Sequence, residues 1–190
     1  MRRLIVILMM IILMAGCKST LKVNNQSDPK DFEPVTLPGH GVTGQAFAEL
    51  DFYVPDEISN EEFDIERANI FGDVFLETLF VEGDVEIEVD IYLGLESGSA
   101  NLDDPDLNQY LASVTISGVG QHTPVAISDP SLLRQGLKNG AFYVKIVAEI
   151  ITNPTVPGEE EMGVLRINDI YFDAWLVRET GGLFPFFYLF

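Results

Sequence analysis

The segment "DVEIEVDIYL" at residues 84–93 decides the fold. Val85, Ile87, Val89, Ile91 and Leu93 fall on one parity, and Asp84, Glu86, Glu88, Asp90 and Tyr92 on the other. Successive side chains of a strand point to opposite faces, whereas a helix of 3.6 residues per turn would spread both sets around its circumference. The segment therefore reads as a strand with one buried and one wet face, as in an antiparallel sheet.

The same period extends outward. Upstream, "NIFGDVFLETLFV" (69–81) is apolar on both faces and runs through "EGD" into the first segment, predicting a hairpin over residues 70–94. Further upstream, Val42, Gly44, Ala46, Ala48, Leu50, Phe52 and Val54 share one face of a strand, with Thr43, Gln45, Glu49, Asp51 and Tyr53 on the other. Residues 59–67 fit two readings, because Ser59 and Glu62 form a capping box while Phe63 and Ile65 alternate as in a strand. Downstream, strands are expected at residues 110–117, 123–127, 141–151 and 163–177. In the last, the apolar phase slips by one at Asn168 and Asp169, which requires a bulge or tight bend. One helix is expected over residues 128–140, with Ser128 or Asp129 as cap, Pro130 in the first turn and Gly136 or Gly140 at its end. Many short strands with a single short helix define an all-β, mainly antiparallel β-sandwich.

At the N-terminus, Arg2 and Arg3 precede an unbroken apolar run of eleven residues, 4–14, then the small residues Ala15 and Gly16, then Cys17, the only cysteine among 190 residues. Eleven residues fall short of the roughly 20 that a spanning helix needs, and the charged, apolar and small zones follow in the order of a signal peptide. "LMAGC" at residues 13–17 resembles the lipobox of bacterial lipoproteins. The resemblance implies cleavage before Cys17, lipid attachment to its thiol, and anchoring to an envelope membrane, the outer one where the organism has one. Residues 1–16 would then be the signal peptide, 17–41 a flexible tether rich in Pro, Asn, Asp and Gly, and 42–190 the sandwich. A coil of that length would hold the domain on the order of 25–30 Å from the lipid.

Loss of residues 1–16 removes two arginines, leaving 9 Lys+Arg against 30 Asp+Glu and a formal charge of −21. Nucleic acid, whose phosphates demand basic partners, is excluded as an expected ligand. The acid concentrates at residues 49–106, where 19 carboxylates accompany a single base, Arg67. Asp103, Asp104 and Asp106 cluster in the turn-prone "NLDDPDLNQ" (101–109) and are the candidate ligands for calcium, the one cofactor the sequence suggests. His40 and His122 lack paired-ligand spacing and read as loop residues. There is no nucleophile-elbow motif and no phosphate loop, so no catalytic activity is expected.

The chain ends in "GGLFPFFYLF" (181–190). Phe184, Phe186, Phe187, Tyr188 and Phe190 fit three readings: a closing strand of the sandwich, an exposed patch for a partner or the membrane, or a barrel strand, against which Pro185 argues. The expected function is that of a lipid-anchored structural or interaction component of the cell envelope, with an envelope protein as partner. The alternative is a binding module for a divalent cation or a glycan.

Overall fold

The computed structural model describes residues 19–38, 45–59, 63–80, 85–100, 102–151 and 161–180. Among these described residues, nine strands and two helical segments follow in the order β1 (Ser19–Gln26), β2 (Val35–Pro38), β3 (Ala46–Tyr53), α1 (Asp56–Ser59), β4 (Asp64–Leu79), β5 (Ile87–Gly94), β6 (Asn108–Ile116), β7 (Thr123–Ser128), α2 (Ser131–Asn139), β8 (Ala141–Ile150) and β9 (Glu161–Thr180). All strand pairings are antiparallel. One sheet runs β1-β9-β4-β7, with β2 sharing the β9 edge with β1, and the other runs β3-β8-β5-β6. A five-stranded layer, in which β1 and β2 share one edge position, faces a four-stranded layer in the strand order of a jelly-roll β-sandwich.

The core lies between the layers. Ile87, Val89, Ile91 and Leu93 are all buried on the inner face of β5, as their parity requires, and Val85 just before the strand is buried with them. From the opposite sheet Ala68, Ile70, Val74, Leu76, Leu165, Ile167, Phe172 and Leu176 meet them. Full burial of an aliphatic or aromatic side chain of this size contributes about 1.5–3 kcal/mol, so these rows hold the layers together. Phe52, Phe142 and Phe172 join the sheets directly, with ring centroids 5.0–6.1 Å apart. Helix α2 closes one end through Leu132, Leu133 and Leu137. Gly136 inside it permits a close approach, since a Cβ there would stand 2.6 Å from Phe142 Cβ.

Three expectations change. First, residues 19–38 are not a flexible tether: β1 pairs residue for residue with β9, from Ser19 opposite Thr180 to Gln26 opposite Asp173, and β2 continues along the same edge. The reason is that an edge strand gains most of its stability from the backbone ladder, which leaves little hydrophobic period to read, although Phe32, Val35 and Leu37 do enter the core. Second, β4 and β5 do not form a hairpin. They lie in different sheets, β4 between β9 and β7 and β5 between β8 and β6, because two apolar faces on β4 suit a central strand better than a hairpin arm.

Third, neither Ser128 nor Asp129 caps α2. Its N-cap position is Pro130, without a side-chain cap. Gln109 Oε1 of β6 accepts from Leu132 N at 2.9 Å instead and satisfies one of the free N–H groups of the first turn. The C-terminal end is Gly140, in a left-handed conformation with φ 85°. The phase slip in β9 is a bulge: β4 changes register between Phe71 and Asp73, and Asp169 has φ 54°.

Candidate functional site

The outer face of the β3-β8-β5-β6 sheet carries polar side chains beside an open cleft. Strand alternation sends Glu88, Asp90 and Tyr92 of β5 outward, and register places Asp90 beside Val147 and Tyr92 beside Lys145 of β8. The segment 95–107 between β5 and β6 is tied at its base by Leu95 N donating to Leu107 O at 2.8 Å. It folds back over the sheet as far as β3, where the Glu49 carboxylate accepts from Ser97 Oγ and, at 2.7 Å, from Gly98 N. Beneath it Lys145 is 1% exposed and its Nζ donates to Asn108 Oδ1 at 2.8 Å. Gly94 makes room for that stem: a Cβ there would stand 2.8 Å from Lys145 Nζ and 2.9 Å from Asn108 Oδ1. Burial pushes the Lys145 amine below its ordinary pKa, while Glu49 and Glu96 hold it up.

Between this segment and the sheet lies an open cleft of about 760 Å³ lined by Gln45, Asp90, Tyr92, Ser99, Leu102, Asp103, Asp104 and Val147. Tyr92 stands edge-on to Tyr110 of β6, with centroids 5.5 Å apart. Its phenol is raised above the usual tyrosine range, first by burial and then by the negative charges of Asp90 and Asp103 and the nearby Tyr110. The cleft thus offers three carboxylates and a carboxamide as hydrogen-bond acceptors, an aromatic ring, an apolar floor at Val147 and, from the covering segment, Leu102.

The three aspartates singled out as calcium ligands divide. Asp103 and Asp104 line the cleft, whereas Asp106 does not belong to that lining. Asp104 Oδ1 accepts from Asp106 N at 3.0 Å, and its carbonyl accepts from Asn108 N at 2.8 Å, so the triplet shapes a turn. Among the described residues no group of three or more His, Cys, Asp or Glu side chains is placed to hold a metal ion. His122 lies on the exposed outer face of the other sheet, stacked on Phe75 at 4.3 Å with its Nδ1 against Asp73 Oδ2. Cys17, His40, Phe184, Phe186, Phe187, Tyr188 and Phe190 lie outside the described residues. Among the described residues, no helix is long and apolar enough to cross a membrane.

Sequence reading missed Gln45, Asp90, Tyr92 and Ser99 as companions of Asp103. Asp90 and Tyr92 fall on the wet parity of residues 84–93, and that is the signal in the sequence that points to them. That the 95–107 segment folds over this face rather than away from it was carried by no motif.

The molecule is a jelly-roll β-sandwich with an acidic, tyrosine-bearing cleft on one outer face. No family model matches the chain, and no curated protein matches it. Among solved structures it is similar to the xylan-binding module CBM15 (TM-score 0.39, 11% identity, covering 83% of this chain and 97% of that one). It is also similar to chains of Desmodium yellow mottle tymovirus (TM-score 0.35, 10% identity, 90% and 93% covered) and turnip yellow mosaic virus (TM-score 0.30, 16% identity, 90% and 86% covered). None of these likenesses lends the chain a function.

Proposed function

We propose that the protein is a lipid-anchored component of a bacterial cell envelope that acts by binding, without catalysis, and that its cleft takes an uncharged or amino-bearing glycan. The observation that carries the ligand reading is the convergence of Gln45, Asp90, Asp103 and Asp104 around Tyr92 above an apolar floor. Sugars present hydroxyl donors at their rims and C–H faces between them, and sites for small polar ligands combine an apolar wall with a few placed polar groups. The carboxylates would repel an acidic glycan and attract an amino sugar. The anchor reading rests on the lipobox-like "LMAGC" at residues 13–17.

Two measurements test these readings separately. Mass spectrometry of the native protein should find residues 1–16 absent and Cys17 acylated; an unmodified thiol ends the anchor reading. Calorimetric titration of the full protein with neutral and amino-bearing oligosaccharides should give binding that Tyr92→Ala and Asp103→Asn each weaken about tenfold, the scale of one lost charged hydrogen bond. Affinities unchanged in both variants would remove the cleft from consideration.

A further inference from the structure

Strand β1 begins at Ser19, two residues after Cys17, and from its first residue is locked into the β9 ladder. Two residues of extended chain span at most about 7 Å. On the reading that Cys17 is acylated, no length remains for a tether, and the corner of the sandwich where β1 starts is held at the lipid headgroups.

That corner differs in chemistry from the rest of the molecule. Lys22, Arg67, Arg134, Lys138 and Arg178 converge on it. Lys22 pairs with Glu66 at 2.6 Å, Arg134 Nη2 donates to Glu66 O at 3.0 Å, Lys138 Nζ donates to Phe63 O, and Arg178 lies over the Phe63 ring. They make five of the nine bases of residues 17–190, a span whose formal charge is −21, and here they balance the neighbouring carboxylates of Asp64, Glu66, Asp129 and Glu179. Leu21 and Val23 of β1 are 48% and 39% exposed. Trp175, the only tryptophan, stands opposite Asn24 and is 38% exposed, lining a depression of about 430 Å³ with Lys22, Glu66, Arg67 and Asp129.

We infer that this β1 corner is a membrane-apposition surface that seats on an anionic lipid headgroup layer, with Trp175 at the interface and Lys22 and Arg67 facing lipid phosphates. Tryptophan favours the headgroup level of a bilayer, and basic side chains within a Debye length of an anionic leaflet are attracted to it. The remaining surface, strongly acidic, is repelled by the same leaflet, so the orientation is selected twice over. The glycan cleft lies on the outer face of the other sheet and stays open to ligand.

The inference rests on the anchor reading, and the test separates the two. The full acylated protein is reconstituted into vesicles of phosphatidylcholine and phosphatidylglycerol with brominated acyl chains, and flotation and Cys17 mass are recorded with Trp175 fluorescence. The expected result is flotation with emission at least halved relative to unbrominated vesicles. In Lys22→Gln/Arg67→Gln, checked for an unchanged melting temperature, flotation should persist and most of the quenching should be lost. Flotation of an acylated protein whose Trp175 is unquenched overturns the apposition and leaves the anchor intact. Failure to float with an unmodified Cys17 overturns both. Should the double variant not fold, quenching in the wild type still decides.

Discussion

Ile170 fills the space that a side chain at Gly72 would need, its Cδ1 standing within clashing distance of a Cβ built on that glycine. The register explains why. Phe71 stands opposite Tyr171 and Asp73 opposite Asn168, so Asp169 and Ile170 together face the single residue Gly72. The extra residue turns Asp169 out at φ 54° and drives Ile170 into the core, where it is 4% exposed. Glycine and bulge belong together here, because the bulged Ile170 occupies the space that a side chain at residue 72 would take. Gly72→Ala is therefore expected to lose about 1–3 kcal/mol of stability by overpacking, measured as a lower urea midpoint at unchanged slope. A midpoint equal to wild type would show that Ile170 has room to move.

The cleft can be read through the titration of one phenol. Burial is the leading cause of the raised Tyr92 pKa, followed by Asp90 and then Asp103. Asp90→Asn should bring the titration of Tyr92 down toward 10, Asp103→Asn should do so less, and neither should restore the ordinary value, because burial remains. Resonances of ring-labelled tyrosine followed against pH would resolve this phenol from the other five. A titration insensitive to both changes would place the carboxylates elsewhere.

Glu49 fastens the 95–107 segment over the sheet by accepting from Ser97 Oγ and Gly98 N. A carboxylate makes stronger hydrogen bonds than a carboxamide, by roughly a factor of two. In Glu49→Gln the Gly98 amide is expected to exchange its hydrogen about tenfold faster, with core amides such as that of Ile91 unaffected and glycan affinity reduced. Uniform acceleration across the molecule would instead signal global destabilisation.

Asp129 carries a pH dependence of known sign. Its carboxyl is held below the usual range, chiefly by hydrogen bonding from Arg134, whose Nε donates to Oδ1 at 2.9 Å, and further by the Ala68 amide. A depressed folded pKa gives stability that is present above the unfolded value near 4 and lost as pH falls through the folded one. Both partners are partly exposed, so the contribution is under about 1 kcal/mol. Asp129→Asn keeps an acceptor for Ala68 and tolerates the residue's φ of 52°. The variant should melt slightly below wild type at pH 7 and coincide with it near pH 2. A constant gap at all pH values would mean that the charge is not the cause.

How much of this was legible depended on where each residue's partners lie. The burial of β5 was readable because alternation is a local property, and so was the slip at Asn168 and Asp169, since a phase change is visible within one strand. The cap of α2 was misread because its acceptor, Gln109, comes from another strand. Asp103 and Asp104 are clustered in the sequence, but their companions in the cleft, Asp90 and Tyr92, stand ten or more residues away, and the link between them is the fold-back of the chain between β5 and β6.

The sequence by itself determined which faces are wet and which are dry, the all-β class, and the presence of helix α2, because those follow from the period of the side chains along the chain. Only the tertiary structure decided which strands are neighbours: that β4 and β5 part into different sheets, and that residues 19–38 seal the edge of β9. The physical reason is that strand pairing is made by backbone groups common to every residue, so the choice of partner is set by closure of the whole core and leaves little trace in the side chains of an edge strand.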